Sequence, residues 1–577
     1  MANPNRPKGK PPGNNRNKQQ PPVYKKDSQP RSFFENLNSW FDARSSGITI
    51  FIFVCGALFS VLLFQARMDI GGDDSTYLQR AYDFIHKGIF PIFQGPLYPL
   101  VLSIFVAPFG INIILLKCLS LIFNIIGLYF FYKAFKGRIP SFIFYPVFFI
   151  AAINSYILNF ASLTYNESFF MCLQYIFFFY FFKLLDELKE SDTSGSLKES
   201  YRKWLMPGLL IFALILTRNI AVTCLGGIVL FFVICKQYKN IFYAIGAFLV
   251  YEIPMTLIEK FAFHSDSQWG SQGNILLLKD PYDAAKGKET LSGFFTRFFQ
   301  NCDIYVSKRF FEITGFRSEN SIKDYKAFES GNLNMFVIFL FVLCGFVLYR
   351  LIKSKNKFML VSFLYTISIL ASSFIVLQTR WDQPRLIMVY VPILLMTIFY
   401  SLYDVLQKKG PWGLQFLLFA TIIVFTITSA VATLGKVGKN LPLLSKNLHG
   451  DIYAGYTPDW VNYLKMSRWC ADSLPKDAYV AARKAPMSFI YGKGMEFFPV
   501  YKVYSYNADS LLDYFKANKV NYIMVPSLRM NPDKNTGDVI TTMEYMIAPI
   551  YKKYPQKVKF VHREGTDEVT DLYQIVY

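Results

Sequence analysis

Long apolar runs separated by short polar breaks dominate the chain, and the runs have the length a bilayer demands. A helix needs roughly twenty apolar residues to cross the hydrocarbon layer. On that measure the runs predict about eleven spans, over 47–66, 111–134, 140–160, 165–185, 204–217, 219–235, 241–262, 334–352, 358–378, 386–404 and 412–434. Ahead of the first, RSFFENLNSWFDARSS sets Phe33, Phe34, Leu37, Trp40 and Phe41 on one helical face, the pattern of a helix lying in the interface. Within 263–333, LSGFFTRFFQNCDIYVSKRFFEITGF repeats its aromatic residues at helical spacing and is expected to rest on the membrane surface as a cover.

Past residue 450 the period changes. Strand-like AYVAA, KVYSY and NYIMV alternate with helical ADSLLDYFKAN and TMEYMIAPIYKKY, and VKFVHREG with TDLYQIVY closes a hairpin. Such alternation predicts a small α/β domain. The expected fold class is a polytopic α-helical membrane protein with a C-terminal external α/β domain. Residues 1–46 form a basic tail with its interfacial helix, 47–440 the transmembrane domain with external loops 67–110 and 263–333, and 450–577 the α/β domain.

Composition supports the membrane assignment: of 577 residues 53% are hydrophobic, and mean hydropathy is +0.26. The net charge of +21 would suggest nucleic acid if it were gathered in a groove, but it lies in the tail and in alternate loops. Lys133, Lys136 and Arg138, then Lys236 and Lys239, then Arg350, Lys353, Lys355 and Lys357, then Lys408 and Lys409 all separate apolar runs. That is the positive-inside signature, and it puts the amino terminus in the cytoplasm and the C-terminal domain outside. No nucleic-acid partner is expected. Residues 1–31, rich in Pro, Asn, Gln and Lys, hold too little apolar surface to offset their ordering entropy and are expected to be disordered. Of the eight cysteines only Cys302 and Cys470 fall on the external side, where a disulfide between them is conceivable. No CxxC or HExxH spacing marks a zinc site.

Chemistry concentrates after the first span, in GGDDSTYLQRAYDFIHKGIFPIFQGPLYPLVLSIF at 71–105. Asp73 and Asp74 alone would be solvated loop acids. However, Tyr77 follows at four residues, Leu78, Ala81, Tyr82 and Ile85 make an amphipathic run, and Gly88 and PLYP return the chain to the membrane. A partly buried carboxylate on such a helix suits a general base. Glu167 and Arg218 stand near the ends of apolar runs, where they either pair with each other or line a cavity. RWDQPR carries Arg380 and Arg385 around Asp382, an ordinary tight loop with an internal ion pair or a phosphate binder with planar paired donors.

Together these residues resemble the GT-C glycosyltransferases, in particular bacterial membrane enzymes similar to protein O-mannosyltransferases and the lipid A aminoarabinose transferase. The resemblance rests on Asp73, Asp74, Tyr77, Ala81, Gly88 and Pro96-Leu97-Tyr98-Pro99, then LTYNESFF with Glu167, LTRNIA with Arg218, and PRLIMVYVP with Arg385 and Pro392. It implies that the first-loop Asp is the base, which points to Asp73 before Asp74, and that Tyr77, Tyr98 and Glu167 meet substrate. The aminoarabinose transferases hold the donor phosphate with a Lys where this chain has Gln94 and Gly95. Phosphate contact then falls to Arg218, Arg380 or Arg385, with Gln94 beside them.

The expected function is transfer of a sugar, with inversion, from a polyprenyl-phosphate donor to an acceptor hydroxyl on a glycan, lipid or protein. The resemblance places this at the outer face of a bacterial inner membrane and leaves room for a divalent cation, Mg or Mn, between Asp and phosphate. The competing readings are a transporter or flippase of lipid-linked glycans, and a polymerase or ligase. Transporters often carry internal repeats, and none is evident here.

Overall fold

A helix occupies each predicted span, yet several of these helices are too short or too charged to cross a bilayer unaided. The structure, a computed structural model, describes residues 32–188, 197–263, 272–281, 286–318, 335–532 and 534–577. The tail expected to be disordered lies outside them. Among the described residues seven helices have the length and apolarity of a span, or eight if the bent pair Ser141–Ile153 and Ser155–Ala161 counts as one. The expectation of about eleven spans is corrected accordingly. Asn219–Ile234 and Val391–Gln407 are apolar but short, and Leu197–Thr217 carries Arg202 and Lys203 in its early turns.

The chain begins with α1 (Phe33–Ala43), started by a capping box in which Ser32 and Glu35 satisfy each other's backbone N–H groups. Phe34 of α1 is buried and stacks on Phe142 at 5.0 Å. Next come α2 (Ser45–Leu62), α3 (Asp73–Lys87), α4 (Leu97–Phe109) and α5 (Ile113–Phe135). The bent pair forms α6 (Ser141–Ile153) and α7 (Ser155–Ala161), and α8 is Glu167–Glu187. α5 and α8 are packed together along their length. Lipid tails are as apolar as Leu, so helices associate there through close packing rather than the hydrophobic effect. Gly127 of α5 allows this, because a Cβ on it would sit 3.2 Å from the Cys172 backbone. Phe131 then meets Tyr175 edge-on at 4.8 Å.

The aromatic segment after 290 is tied down by its polar side chains. Its helix Leu291–Cys302 buries Arg297, Asn301 and Cys302. Asn301 Nδ2 donates to the carbonyls of Phe374 and Leu377 at 2.8 and 2.9 Å, and Arg297 to that of Val376 at 3.3 Å. These are the orphan carbonyls at the end of the span Lys357–Val376, which need such donors in a dry setting. Helical spacing of the Phe residues showed the apolar face, where Phe298 and Phe299 meet Phe341, but gave no sign that the polar face is committed as well. The segment then passes through a π-helical turn at Asp303–Arg309.

A helix of 37 residues, Trp412–Leu448, leads out to the C-terminal region. There five strands stand in the order β2-β1-β3-β5-β4. β1 (Val480–Ala482) runs parallel to β2 (Phe497–Pro499) and β3 (Tyr522–Pro526), and β5 (Thr570–Ile575) is antiparallel to β3 and to β4 (Val558–Glu564). KVYSY, expected as a strand, is not one. β1 ends at Ala482, whose carbonyl takes the Val500 N–H, and it leaves no strand residue to pair with residues 502–506. One face of the sheet buries Leu511, Phe515, Met546 and Ile550. The other buries Trp460, Tyr463 and Met487 in a core that also holds Leu78 of α3 and Leu102 of α4. The first loop and the C-terminal sheet therefore share one apolar interior. Cys302 and Cys470 are both free and buried, so no disulfide joins them.

Candidate active site

The site starts from a glycine. Gly72, at φ +91°, turns the chain so that Asp73 and Asp74 open α3. Ser75 and Thr76 hydroxyls donate back to the Gly72 carbonyl at 2.9 and 2.7 Å and fix the turn. Successive helical residues point about 100° apart, so the two adjacent carboxylates take different directions. Asp74 turns inward, fully buried. It accepts from the Thr164 backbone N–H at 2.8 Å and hydroxyl, from the Asp69 N–H at 3.1 Å, and from the Lys117 ammonium at 3.2 Å. Asp74 is thus an anchor between α3, α5 and the loop before α8.

Asp73 faces a cavity of about 1130 Å³. Tyr77, one turn on, shares that face, and burial pushes its hydroxyl pKa up. Arg385, which opens a short helix after Pro384, reaches in from the far end of the membrane region. Its Nη2 lies 2.5 Å from Asp73 Oδ2, its Nε donates to Gln383 at 2.6 Å, and its guanidinium covers the Tyr165 ring at 4.8 Å. Nη1 stands 3.6 Å from Glu167, whose other cationic neighbour is Arg218 at 3.9 Å. Neither Glu167 oxygen accepts a hydrogen bond among the described residues, although the side chain is 1% exposed. Tyr165 donates to Asp69 at 2.6 Å and completes the ring of charge.

Gln94 also lines the cavity, in a left-handed backbone conformation at φ +64° that non-glycine residues seldom adopt. Gly95 beside it, at φ +99°, lies so close to the end of Leu197–Thr217 that a Cβ would fall 2.5 Å from the Thr217 carbonyl. The turn thereby abuts the residue before Arg218, and Asn166 Nδ2 donates to the same carbonyl at 3.0 Å.

Of the residues singled out from sequence, Asp73, Tyr77, Gln94, Glu167, Arg218 and Arg385 line this cavity. Asp74, Tyr98 and Arg380 do not. Tyr98 is buried behind Tyr77, ring centroids 5.4 Å apart, with its hydroxyl 2.9 Å from Ser120. Arg380 is paired with Asp280 at 3.0 Å on an exposed flank. Of the two readings of RWDQPR, the internal ion pair is not formed: Asp382 takes Lys308 and Arg309 from the π-helical turn, the latter at 2.5 Å, and Arg385 faces the cavity.

Sequence reasoning missed the share of the C-terminal region. Arg483 and Tyr501 line the cavity, the guanidinium 5.7 Å from the ring centre. Lys484 Nζ approaches the Ile70 and Gly71 carbonyls at 3.4 Å and braces the turn before Asp73. Burial draws the Lys484 pKa down, Arg483 adds to this, and Asp73 and Asp69 oppose it. A signal existed: Arg483 follows β1 and Tyr501 closely follows β2, at the carboxyl ends of parallel strands, where such sheets bind ligands.

A divalent cation held by three protein ligands does not fit these residues. Among the described residues no three His, Cys, Asp or Glu side chains converge, and Asp73 and Glu167 both answer to Arg385.

No protein-family model matches the chain, and no curated protein matches it by sequence. Solved structures do match in fold. The oligosaccharyltransferase AglB of Archaeoglobus fulgidus, in complex with an inhibitory peptide and a dolichol-phosphate, superposes with a TM-score of 0.50 at 12% identity, over 84% of this chain and 70% of its own. The apo form of the Archaeoglobus fulgidus enzyme gives 0.51 at 12%, over 85% and 70%. ArnT of Cupriavidus metallidurans, bound to undecaprenyl phosphate, gives 0.50 at 10%, over 92% and 98%. At such identity the likeness speaks for the fold and leaves chemistry to the site itself. Over most of its length, the chain is structurally similar to the GT-C glycosyltransferases AglB and ArnT.

Proposed function

We propose that the protein is an integral-membrane glycosyltransferase that moves a sugar from a polyprenyl-phosphate donor to an acceptor hydroxyl at the outer face of the membrane, with inversion. The observation that carries this reading is Asp73 held 2.5 Å from Arg385 in a cavity with one apolar wall. That wall, with Ile220, Val222, Leu276, Val376 and Leu386, suits the lipid part of the donor, while the guanidinium groups of Arg385 and Arg218 suit its phosphate. AglB and ArnT bound to dolichol-phosphate and undecaprenyl phosphate support the donor class by analogy of fold.

Asp73 takes the proton of the acceptor hydroxyl as that oxygen bonds to the anomeric carbon. The bond from that carbon to the lipid phosphate oxygen breaks, and its electron pair leaves with the phosphate. Arg385 and Arg218 stabilise the charge that grows there, the kind of fixed electrostatic aid on which such reactions depend most. Glu167, with both oxygens open to a donor, accepts hydroxyls of the sugar in transit.

The test is Asp73→Asn in the full-length protein in lipid nanodiscs. Donor binding should persist and transfer should fall about 10²–10⁴-fold, the usual worth of a general base. Transfer that survives the substitution would remove Asp73 from the role and the reading with it.

A further inference from the structure

The cavity has two unlike walls, and the apolar one accounts for the donor alone. Another part of the lining belongs to the C-terminal region. Tyr501 and Lys502 follow β2, Tyr504 and Tyr514 stack with ring centroids 4.0 Å apart, and Asn518 closes the row. Tyr504 is 56% exposed. Beyond the rim the aromatic path continues through Tyr506 and Tyr545, 5.9 Å apart and both exposed.

We propose that this tyrosine wall is the acceptor subsite and that its ligand is a saccharide chain, whose rings lie on Tyr504 and its neighbours. The inference rests on the glycosyltransferase reading and narrows its acceptor from three classes to one. A pyranose ring has a flat C–H face and a polar edge. Tyrosine offers the matching flat ring with a polar tip, and holds it at small entropic cost. The volume of about 1130 Å³ exceeds the roughly 300–1,000 Å³ of ordinary small-molecule pockets, which leaves room for acceptor units beside the donor sugar.

The rival acceptors fit this wall less well. One common way to capture a peptide is as an added strand on a sheet edge. The edge strand at this wall is β2, which has three residues and ends in Pro499, and a short edge with Pro resists strand addition. A lipid acceptor would need a mainly apolar surface, whereas past Phe498, Pro499 and Val500 this wall presents phenol hydroxyls, an amide and an ammonium. Its position outside the carboxyl ends of β1 and β2 is the usual ligand crevice of a parallel sheet.

The full-length protein in nanodiscs, applied to an array of defined short oligosaccharides and unglycosylated peptides, tests the inference. Saccharides should bind, Tyr504→Ala should weaken that binding about tenfold, and Tyr504→Phe, which keeps the ring, should restore it. Absence of saccharide binding, retention of peptides instead, or saccharide binding unchanged by Tyr504→Ala would overturn it. Saccharide binding is read on the Tyr504 variants and transfer on Asp73→Asn. A failure of the base assignment, seen as surviving transfer in Asp73→Asn, is therefore read separately from a failure of the acceptor wall.

Discussion

Arg385 and Asp73 lie 312 residues apart in the chain and meet at 2.5 Å. The contact ties the last part of the helical region to the turn that follows α2, and it is made by the fork of a guanidinium that also faces Glu167. A lysine would keep the charge and lose the planar pair of donors. Arg385→Lys should lower transfer about 10²–10³-fold, as loss of a charge-stabilising donor usually does. Turnover under saturating donor checks it, because a binding defect alone would leave kcat unchanged.

Asp74 should separate from Asp73 by its effect on stability. Both Asp74 and Lys117 are fully buried in their ion pair, and removing one partner of such a pair costs about 3–5 kcal/mol. Asp74→Ala should lower the unfolding temperature in detergent markedly, whereas Asp73→Asn should not. The double variant Asp74→Ala with Lys117→Met should recover part of the loss, since it leaves no unpaired charge behind.

Gly95→Ala should act at a distance. Its Cβ would meet the Thr217 carbonyl at 2.5 Å and that of Leu216 at 2.6 Å, in a backbone conformation that already disfavours side chains. Either the turn or the end of Leu197–Thr217 must shift, and Arg218 shifts with it. Weaker donor binding together with a lower unfolding temperature is the expected result.

The C-terminal region should weaken in acid through Glu568. Arg529 grips it with two hydrogen bonds, at 2.6 and 2.9 Å, and this holds the Glu568 pKa below its ordinary value of 4.5. A depressed carboxylate stabilises the fold above 4.5 and loses that contribution as pH falls through its lower folded value. Glu568→Gln should cost stability at neutral pH and flatten the dependence below pH 4.5, as followed by unfolding across an acid series.

Much of this was legible in the pattern of residues, for identifiable reasons. The places of the apolar helices, the α/β alternation and the face shared by Asp73 and Tyr77 all follow from local period, though not how many of those helices have the length of a span. Glu167, Arg218 and Arg385 stood out because ionisable groups beside apolar runs are costly to place anywhere but a cavity. What stayed hidden was long-range commitment. Asp74 could be told from Asp73 only by knowing that Lys117 and Thr164 lie behind it. Arg380 and Arg385 are alike in sequence, and Asp280 and Asp382's outside partners decide which of them remains for the cavity. Arg483, Lys484 and Tyr504 belong to a region whose docking against α3 no local period encodes.

The helix Trp412–Leu448, at about 1.5 Å per residue, is about 55 Å long and outruns a hydrocarbon layer of about 30 Å. Asn440 lashes its outer part to the end of α2 through the Leu62 and Phe64 carbonyls, both at 3.0 Å. The excess works as a mast. It joins the C-terminal sheet to the helical region by a braced stem rather than a swinging tether.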